Sequence, residues 1–241
     1  MELCAVVLAA GLGRRLRPLT DLRPKALCPV DNVALLDHAI GRAKQLAGAV
    51  AVNGLTTLEV ALAARDVHAS IEGATPLGTA GALQRLRGWI DGRDVVVVNA
   101  DAFIEGDLST VLPDDGTRRP RLAAVEDARR PDFGGRWRYV GVCVLPFSVV
   151  ERLEPGGLYD QVFARAELDI VPCATWFTDC GTPGGYHAAN MRASGGRNVV
   201  GEGARVDGRI ERCVVWPGSV VEEHEQLHDA IRADGLTVRV E

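Results

Sequence analysis

The sequence predicts an α/β fold, a sheet flanked by helices, followed by a short tail of different character. Three observations carry this reading. Apolar runs of buried-strand composition alternate with stretches of helical character, as when helices cover a largely parallel sheet. Two of the runs end in turns bearing glycine or aspartate, at the place where such sheets bind ligands. Past Asn190 the aliphatic residues change to a period of about six.

The elements follow in order. Strands are predicted over Cys4–Ala9, Ala49–Val52, Val95–Asn99, Leu122–Val125 and Val140–Leu145, and helices over Leu35–Ala47, Leu58–Ala64 and Ala80–Trp89. Ser194, Gly195 and Gly196 read as a small flexible joint. Beyond it, Val200, Ala204, Val206, Ile210, Val214, Val215, Val220 and Val221 recur with small residues between them, the spacing of a hexapeptide β-helix. About two coils are present where such a stack needs about three. The tail must therefore pack on the main domain or on another subunit, which makes self-association into a homo-oligomer an expectation. A simple β-hairpin extension is the alternative. The division expected is a catalytic domain over 1–193 and a hexapeptide-repeat-like tail over 197–241.

Composition sets limits. A chain of 241 residues, 47% hydrophobic and 24% charged, has material for one sizeable core with a short appendage. A net charge of −5 gives no global positive field for nucleic acid or an acidic membrane, so any anion must be held by local groups. Leu3–Ala10 opens directly as a strand without a signal-like segment, and no apolar run approaches the roughly 20 residues of a membrane span. The expectation is a soluble, cytoplasmic protein with neither nucleic-acid nor membrane partner. Cys4, Cys28, Cys143, Cys173, Cys180 and Cys213 form no CxxC pair and read as reduced, structural thiols. His224 and His228 stand four apart, one helical turn, and read as a solvated helix face rather than a metal pair. Trp216, beside Pro217, is expected to cover the tail's core or an interface.

The first strand runs into Leu8-Ala9-Ala10-Gly11-Leu12-Gly13-Arg14-Arg15-Leu16-Arg17-Pro18-Leu19-Thr20, with Pro24-Lys25 shortly after. Glycines behind a buried strand let backbone N–H groups approach an anion. The dinucleotide fingerprint would need glycine at Leu16, and a Walker loop would need GK[ST]. Arg14, Arg15, Arg17 and Lys25 instead concentrate cations in an acidic chain, which suits a triphosphate.

This segment resembles the signature of the sugar-1-phosphate nucleotidyltransferases. The likeness continues in Leu77-Gly78-Thr79-Ala80-Gly81-Ala82-Leu83, in Asn99-Ala100-Asp101, and in Trp176-Phe177-Thr178-Asp179-Cys180-Gly181-Thr182-Pro183 through Asn190. The resemblance implies a Rossmann-like mixed sheet flanked by helices, the nucleotide-diphospho-sugar transferase fold, with a short left-handed β-helix-like tail. It implies an NTP and a sugar 1-phosphate as substrates, with GDP-mannose or a UDP- or dTDP-sugar as product. Arg15 and Lys25 fall on the catalytic cations. Leu8, Ala9, Ala10, Gly11, Gly13, Arg14, Gly78, Thr79, Ala80 and Gly81 join them around the nucleotide; Asn99, Gly141 and Glu72 fall near the sugar; Asp101 and Asp179 fall on the ligands of Mg2+.

Each aspartate taken alone also suits a helix or turn cap. Carboxylates are apt ligands for Mg2+, one or two of them with phosphate oxygens and water. One departure is clear: the lysine-bearing E-K-P hairpin of many relatives is absent, and either Arg136 or Arg138 supplies the charge or Lys25 serves alone. Two other functions stay open, cytidylyl transfer to phosphocholine or a similar phosphate and a non-catalytic nucleotide-sugar-binding regulatory subunit.

Overall fold

The computed structural model describes residues 2–113 and 119–240. They form two compact units, one within residues 2–11, 39–100 and 104–176, the other of residues 12–38, 101–103 and 177–240.

The first unit is built on a seven-stranded sheet. Its strands in chain order are β1 (Leu3–Leu8), β2 (Ala49–Leu55), β3 (His68–Glu72), β4 (Asp94–Asn99), β5 (Arg121–Glu126), β6 (Trp137–Leu145) and β7 (Asp169–Pro172). Across the sheet the order is β7-β5-β6-β4-β1-β2-β3. β6 runs antiparallel to both of its neighbours, and the remaining pairs are parallel. All five predicted strands are present, with no end shifted by more than three residues.

Val95 to Val98 are buried without alternation, as expected of a central strand covered on both faces. Their β-branched side chains suit the pleated backbone. On one face Cys4, Val6, Ala51, Val95, Val97, Leu122, Cys143 and Leu145 pack with Ala80, Leu83, Leu86 and Ile90 and with Val150, Leu153, Leu158 and Val162.

The helix predicted over Ala80–Trp89 is two helices, Gly78–Arg85 and Arg87–Ile90, interrupted at Leu86 (φ −84, ψ 2). β3 and β7 were not predicted. Both are edge strands, and neither His68-Ala-Ser-Ile-Glu72 nor Asp169-Ile-Val-Pro172 carries a continuous apolar run. Strand order reverses at β1, flanked by β2 and β4, so the carboxyl ends of β1 and β4 mark the topological switch point of the sheet.

The second unit contains the cationic loop, a helix over Pro183–Ala193 and the tail. In the tail, Val199–Val200 pairs in parallel with Val214–Val215, which pairs with Ile231 and Arg232 in the strand Ala230–Ala233. Arg205–Val206 pairs with Val220–Val221, and Arg209–Glu211 with Gln226–His228. Successive passes of the chain thus stack in three parallel ladders. Cys213, Val215, Val221, Leu227 and Ala230 point inward with Ala204, Val206 and Ile210 against them. An antiparallel strand, Leu236–Arg239, closes the stack against Ala230–Ala233.

The stack packs on the Pro183–Ala193 helix. Trp216 is fully buried; its Nε1 donates to the Tyr186 hydroxyl at 2.9 Å, and that hydroxyl donates to the Pro29 carbonyl. Two expectations are corrected here. His228 lies in a strand and His224 in the turn before it, so the spacing of four is not a helical face; His228 Nδ1 lies 2.9 Å from Asp229 Oδ2. Ser194–Gly196 is a hydrogen-bonded helix cap rather than a loose joint. Gly196 N–H donates to Met191 O at 2.7 Å and the Ser194 hydroxyl to Arg197 O at 2.7 Å.

Candidate active site

Four charged side chains from distant parts of the sequence meet in the second unit. Lys25 follows Pro24 on a single 3-10 turn, Lys25–Leu27, and is 7% exposed. Its stem is fixed by the loop before it. Gly13 adopts φ +62, where a side chain is strained, and a Cβ there would stand 2.9 Å from Lys25 Cβ and 2.8 Å from Thr20 Cγ2.

Lys25 Nζ lies 2.9 Å from Asp101 Oδ2 and 3.7 Å from Asp179 Oδ1. The aspartates are placed side by side by a backbone bond, Cys180 N–H to Asp101 O at 2.9 Å. Asp179 is oriented by the Gly181 amide, which donates to its Oδ1 at 2.7 Å, and Arg15 Nη2 reaches its Oδ2 at 3.3 Å. Behind them Thr182 caps the helix, its hydroxyl accepting from Gly185 N–H at 3.2 Å, with Pro183 at the first helical position.

Two carboxylates thus face two cations. Arg15 keeps a 70% exposed side chain, so its ion pair is weak and the guanidinium stays available to an incoming anion. Arg14 is exposed too, whereas Arg17 turns to Asp21 at 3.1 Å. Cys180, between these groups in the chain, is pushed up to about 12 by burial and is an inert thiol at neutral pH. The oxygen-only donor set of Asp101 and Asp179 fits a hard divalent cation better than a thiolate- or imidazole-seeking one. Among the described residues no cluster of three or more His, Cys, Asp or Glu is able to hold a metal unaided, so further oxygens must come from elsewhere.

The first unit carries the remaining predicted residues. Leu8 ends β1 opposite Asn53 and Asn99, with Ala9, Ala10 and Gly11 following at the switch point. Ala9 N–H donates to Asn53 O at 2.8 Å and Ala100 N–H to Leu8 O at 3.1 Å. Gly78 has φ +84, and a Cβ on it would meet the Gly156 carbonyl oxygen at 2.3 Å. Gly81 sits against Leu77 and Pro155. Packing on the Pro155–Gly156 backbone therefore accounts for these glycines without a ligand. Ala80 N–H donates to Gly156 O at 2.8 Å, and Thr79 Oγ1 accepts from Leu158 N–H at 2.8 Å.

Glu72 is buried and spoken for. Its Oε1 accepts from Asn53 Nδ2 at 2.7 Å and its Oε2 from Leu77 N–H at 2.8 Å, so its visible task is to brace the loop ahead of the Gly78–Arg85 helix. Gly141 lies within β6.

A cavity of about 230 Å³ opens between Thr79, Asn99, Tyr139 and Leu158, walled by Phe133, Tyr159 and Phe163 and bordered by Asp132. Phe163 takes Phe133 and Tyr139 edge-on, with ring centroids 6.2 and 5.6 Å apart. Of this group only Thr79 and Asn99 were foreseen. Tyr159 and Phe163, four apart on one helical turn, and the aromatic pair bracketing the Gly134–Gly135 hairpin were the available signal.

Both arginines offered as substitutes for the absent hairpin lysine are paired with carboxylates. Arg136 Nε contacts Glu126 Oε1 at 3.0 Å and Arg138 Nη1 contacts Asp127 Oδ2 at 3.2 Å, each within the same hairpin. No helix among the described residues is long and apolar enough to cross a membrane.

Comparison with known proteins fits this geometry. The chain is 32% identical over 176 residues to the N-acetylmuramate alpha-1-phosphate uridylyltransferase of Caulobacter vibrioides, covering 68% of this chain and 65% of that relative, so it spans less than two thirds of the relative's length. It is 26% identical to the probable mannose-1-phosphate guanylyltransferase 3 of Oryza sativa subsp. japonica, over 97% of this chain and 80% of that one. The solved structure described as mannose-1-phosphate geranyltransferase from Thermus thermophilus shares the fold, with a TM-score of 0.75 at 19% identity, over 99% of this chain and 94% of its own. Residues 5–236 match the MobA-like NTP transferase domain, and with nearly the whole chain matched, the protein belongs to that family.

Proposed function

We propose that the protein transfers the nucleoside monophosphate of an NTP to a sugar 1-phosphate, releasing pyrophosphate, with Mg2+ as cofactor. The observation that carries this reading is the meeting of Arg15, Lys25, Asp101 and Asp179 from separate segments of the chain. The uridylyl- and guanylyltransferase relatives act in the same chemical class, which supports it.

A phosphate oxygen of the acceptor, already ionised at pH 7, attacks the α-phosphorus in line. The new P–O bond forms as the bond to the bridging oxygen breaks, and the electron pair leaves on pyrophosphate. No proton has to be removed, so charge neutralisation decides the rate. Arg15 and Lys25 supply positive charge to the triphosphate and the departing pyrophosphate. Asp101 and Asp179 would hold the Mg2+, whose contribution is to neutralise phosphate charge and orient the phosphate oxygens. Gly181 N–H and the Cys180–Asp101 backbone bond keep the two carboxylates in place. In the first unit, the cavity beside Asn99 combines aromatic walls with a few polar groups, the kind of lining that receives a small polar ligand.

Pyrophosphate release, screened with ATP, GTP, CTP, UTP and dTTP against a panel of sugar 1-phosphates and phosphocholine, tests this. Release with a sugar 1-phosphate is expected. Release with phosphocholine alone would move the acceptor class, and silence with every pair would overturn the reading.

A further inference from the structure

Lys25 is the least exposed of the four site charges, and its ammonium lies between both carboxylates. The root of its side chain packs on the Gly13 loop, where a Cβ on Gly13 would stand 2.9 Å from Lys25 Cβ. Asp179 is bound on every side by a positive or donating group: Lys25 and the Gly181 amide at Oδ1, Arg15 at Oδ2. The cluster is therefore charge-balanced by the protein alone. A bare divalent cation entering it would meet an ammonium already seated on the same oxygens, at distances where like charges repel strongly in a half-buried setting.

A triphosphate changes that balance. It offers Lys25 and Arg15 oxygens of their own, and it supplies the further oxygen ligands that two aspartates lack.

We propose that Lys25 is an internal counter-ion of Asp101 and Asp179 that the metal displaces weakly by itself and readily once the nucleotide's phosphates draw the ammonium away, so that cation and nucleotide load together. This rests on the assignment of Asp101 and Asp179 as metal ligands above. It gives Lys25 a second role, as a positioning residue that keeps the carboxylates closed to metal in the free enzyme.

The experiment is a titration of the nucleotide-free full-length protein with Mn2+, read by the loss of the free-ion signal in electron paramagnetic resonance. It needs no substrate and no turnover, so its result stands apart from the pyrophosphate screen. Wild type should bind weakly. Lys25→Met should bind at least about tenfold more tightly without nucleotide, and Lys25→Arg, which restores the charge, should return to weak binding. A merely structural lysine would leave affinity unchanged or lower it on removal, and either result in a folded Lys25→Met variant overturns the proposal. If Lys25→Met does not fold, wild type answers the same question. At saturating Mn2+ the Lys25 amine should acylate faster, as read by peptide mass spectrometry, and unchanged labelling at full metal occupancy overturns the exchange.

Discussion

At the scale of single residues, placement of charge matters more than its amount. Asp101 is tied to Cys180 through its backbone carbonyl, and the Gly181 amide bonds Asp179 at an oxygen that asparagine keeps, so exchange of either carboxylate for an amide removes a ligand charge and leaves these bonds. Asp101→Asn and Asp179→Asn should each lower pyrophosphate release by about 10²-fold or more, with thermal midpoints near that of wild type. Near-normal turnover in both would end the metal assignment. The cysteines separate on burial. Cys4 is pushed up to about 11 and Cys28 and Cys143 to about 12 by desolvation, while Cys173 is half-buried. Iodoacetamide at neutral pH should label Cys173 well ahead of the other five, and early labelling of Cys180 by mass spectrometry would contradict its packing.

The roles of single residues were unevenly legible. The cationic loop and both aspartates could be named from the order of residues. That Lys25 neutralises them both could not, since the ion pairs join positions 76 or more apart in the chain. Glu72 was placed near a sugar by the resemblance alone. Its carboxylate satisfies a buried amide and a backbone N–H, bonds that no local pattern announces.

Among elements, the Pro183–Ala193 helix is where a local motif becomes tertiary structure. Its N-terminal end carries the Thr182 cap next to Asp179, and its body carries Tyr186, which holds both Trp216 and Pro29. Trp216→Ala should cost about 3–5 kcal/mol in denaturant titrations, the range for emptying a large buried aromatic site. Tyr186→Phe should cost about 1–3 kcal/mol, because the buried Trp216 indole loses its acceptor and the Pro29 carbonyl keeps only the Asn190 amide at 3.4 Å. Neutral results for both would mean that the tail's stack stands without the helix.

Central strands declared themselves through unbroken valine runs. The edge strands β3 and β7 did not, because half-exposed edges have no continuous apolar signature. The tail's periodicity was readable, but His224 and His228 matched a helical spacing by coincidence, since a spacing of four also spans a turn and a short strand.

Across the whole molecule, net charge and the depressed carboxylates set the acid limit. The Arg212 guanidinium beside Asp229 holds its carboxyl below the usual carboxylate range, the Glu222 amide does so for Glu225, and the Ser109 hydroxyl and amide do so for Asp107. A carboxylate with a lowered folded value stabilises the fold above the unfolded value, near 4. That contribution is lost as pH falls through the lower folded value. Thermal midpoints should therefore hold level above about pH 5 and fall steadily on acidification below about pH 4. Asp229→Asn should shallow that decline; an unchanged slope would show that the Arg212 pair does not contribute to it.

Trp216 has one more consequence. The Arg23 guanidinium rests 4.5 Å over its ring and the Tyr186 hydroxyl takes its indole proton, in a pocket sealed from water. Such an indole emits at short wavelength, and its emission shifts to the red when the seal opens. With Trp89, Trp137 and Trp176 replaced by phenylalanine, the chain would carry a single tryptophan, which can be excited apart from the three tyrosines. Its colour would report whether the tail remains seated on the helix behind Asp179, independently of any turnover.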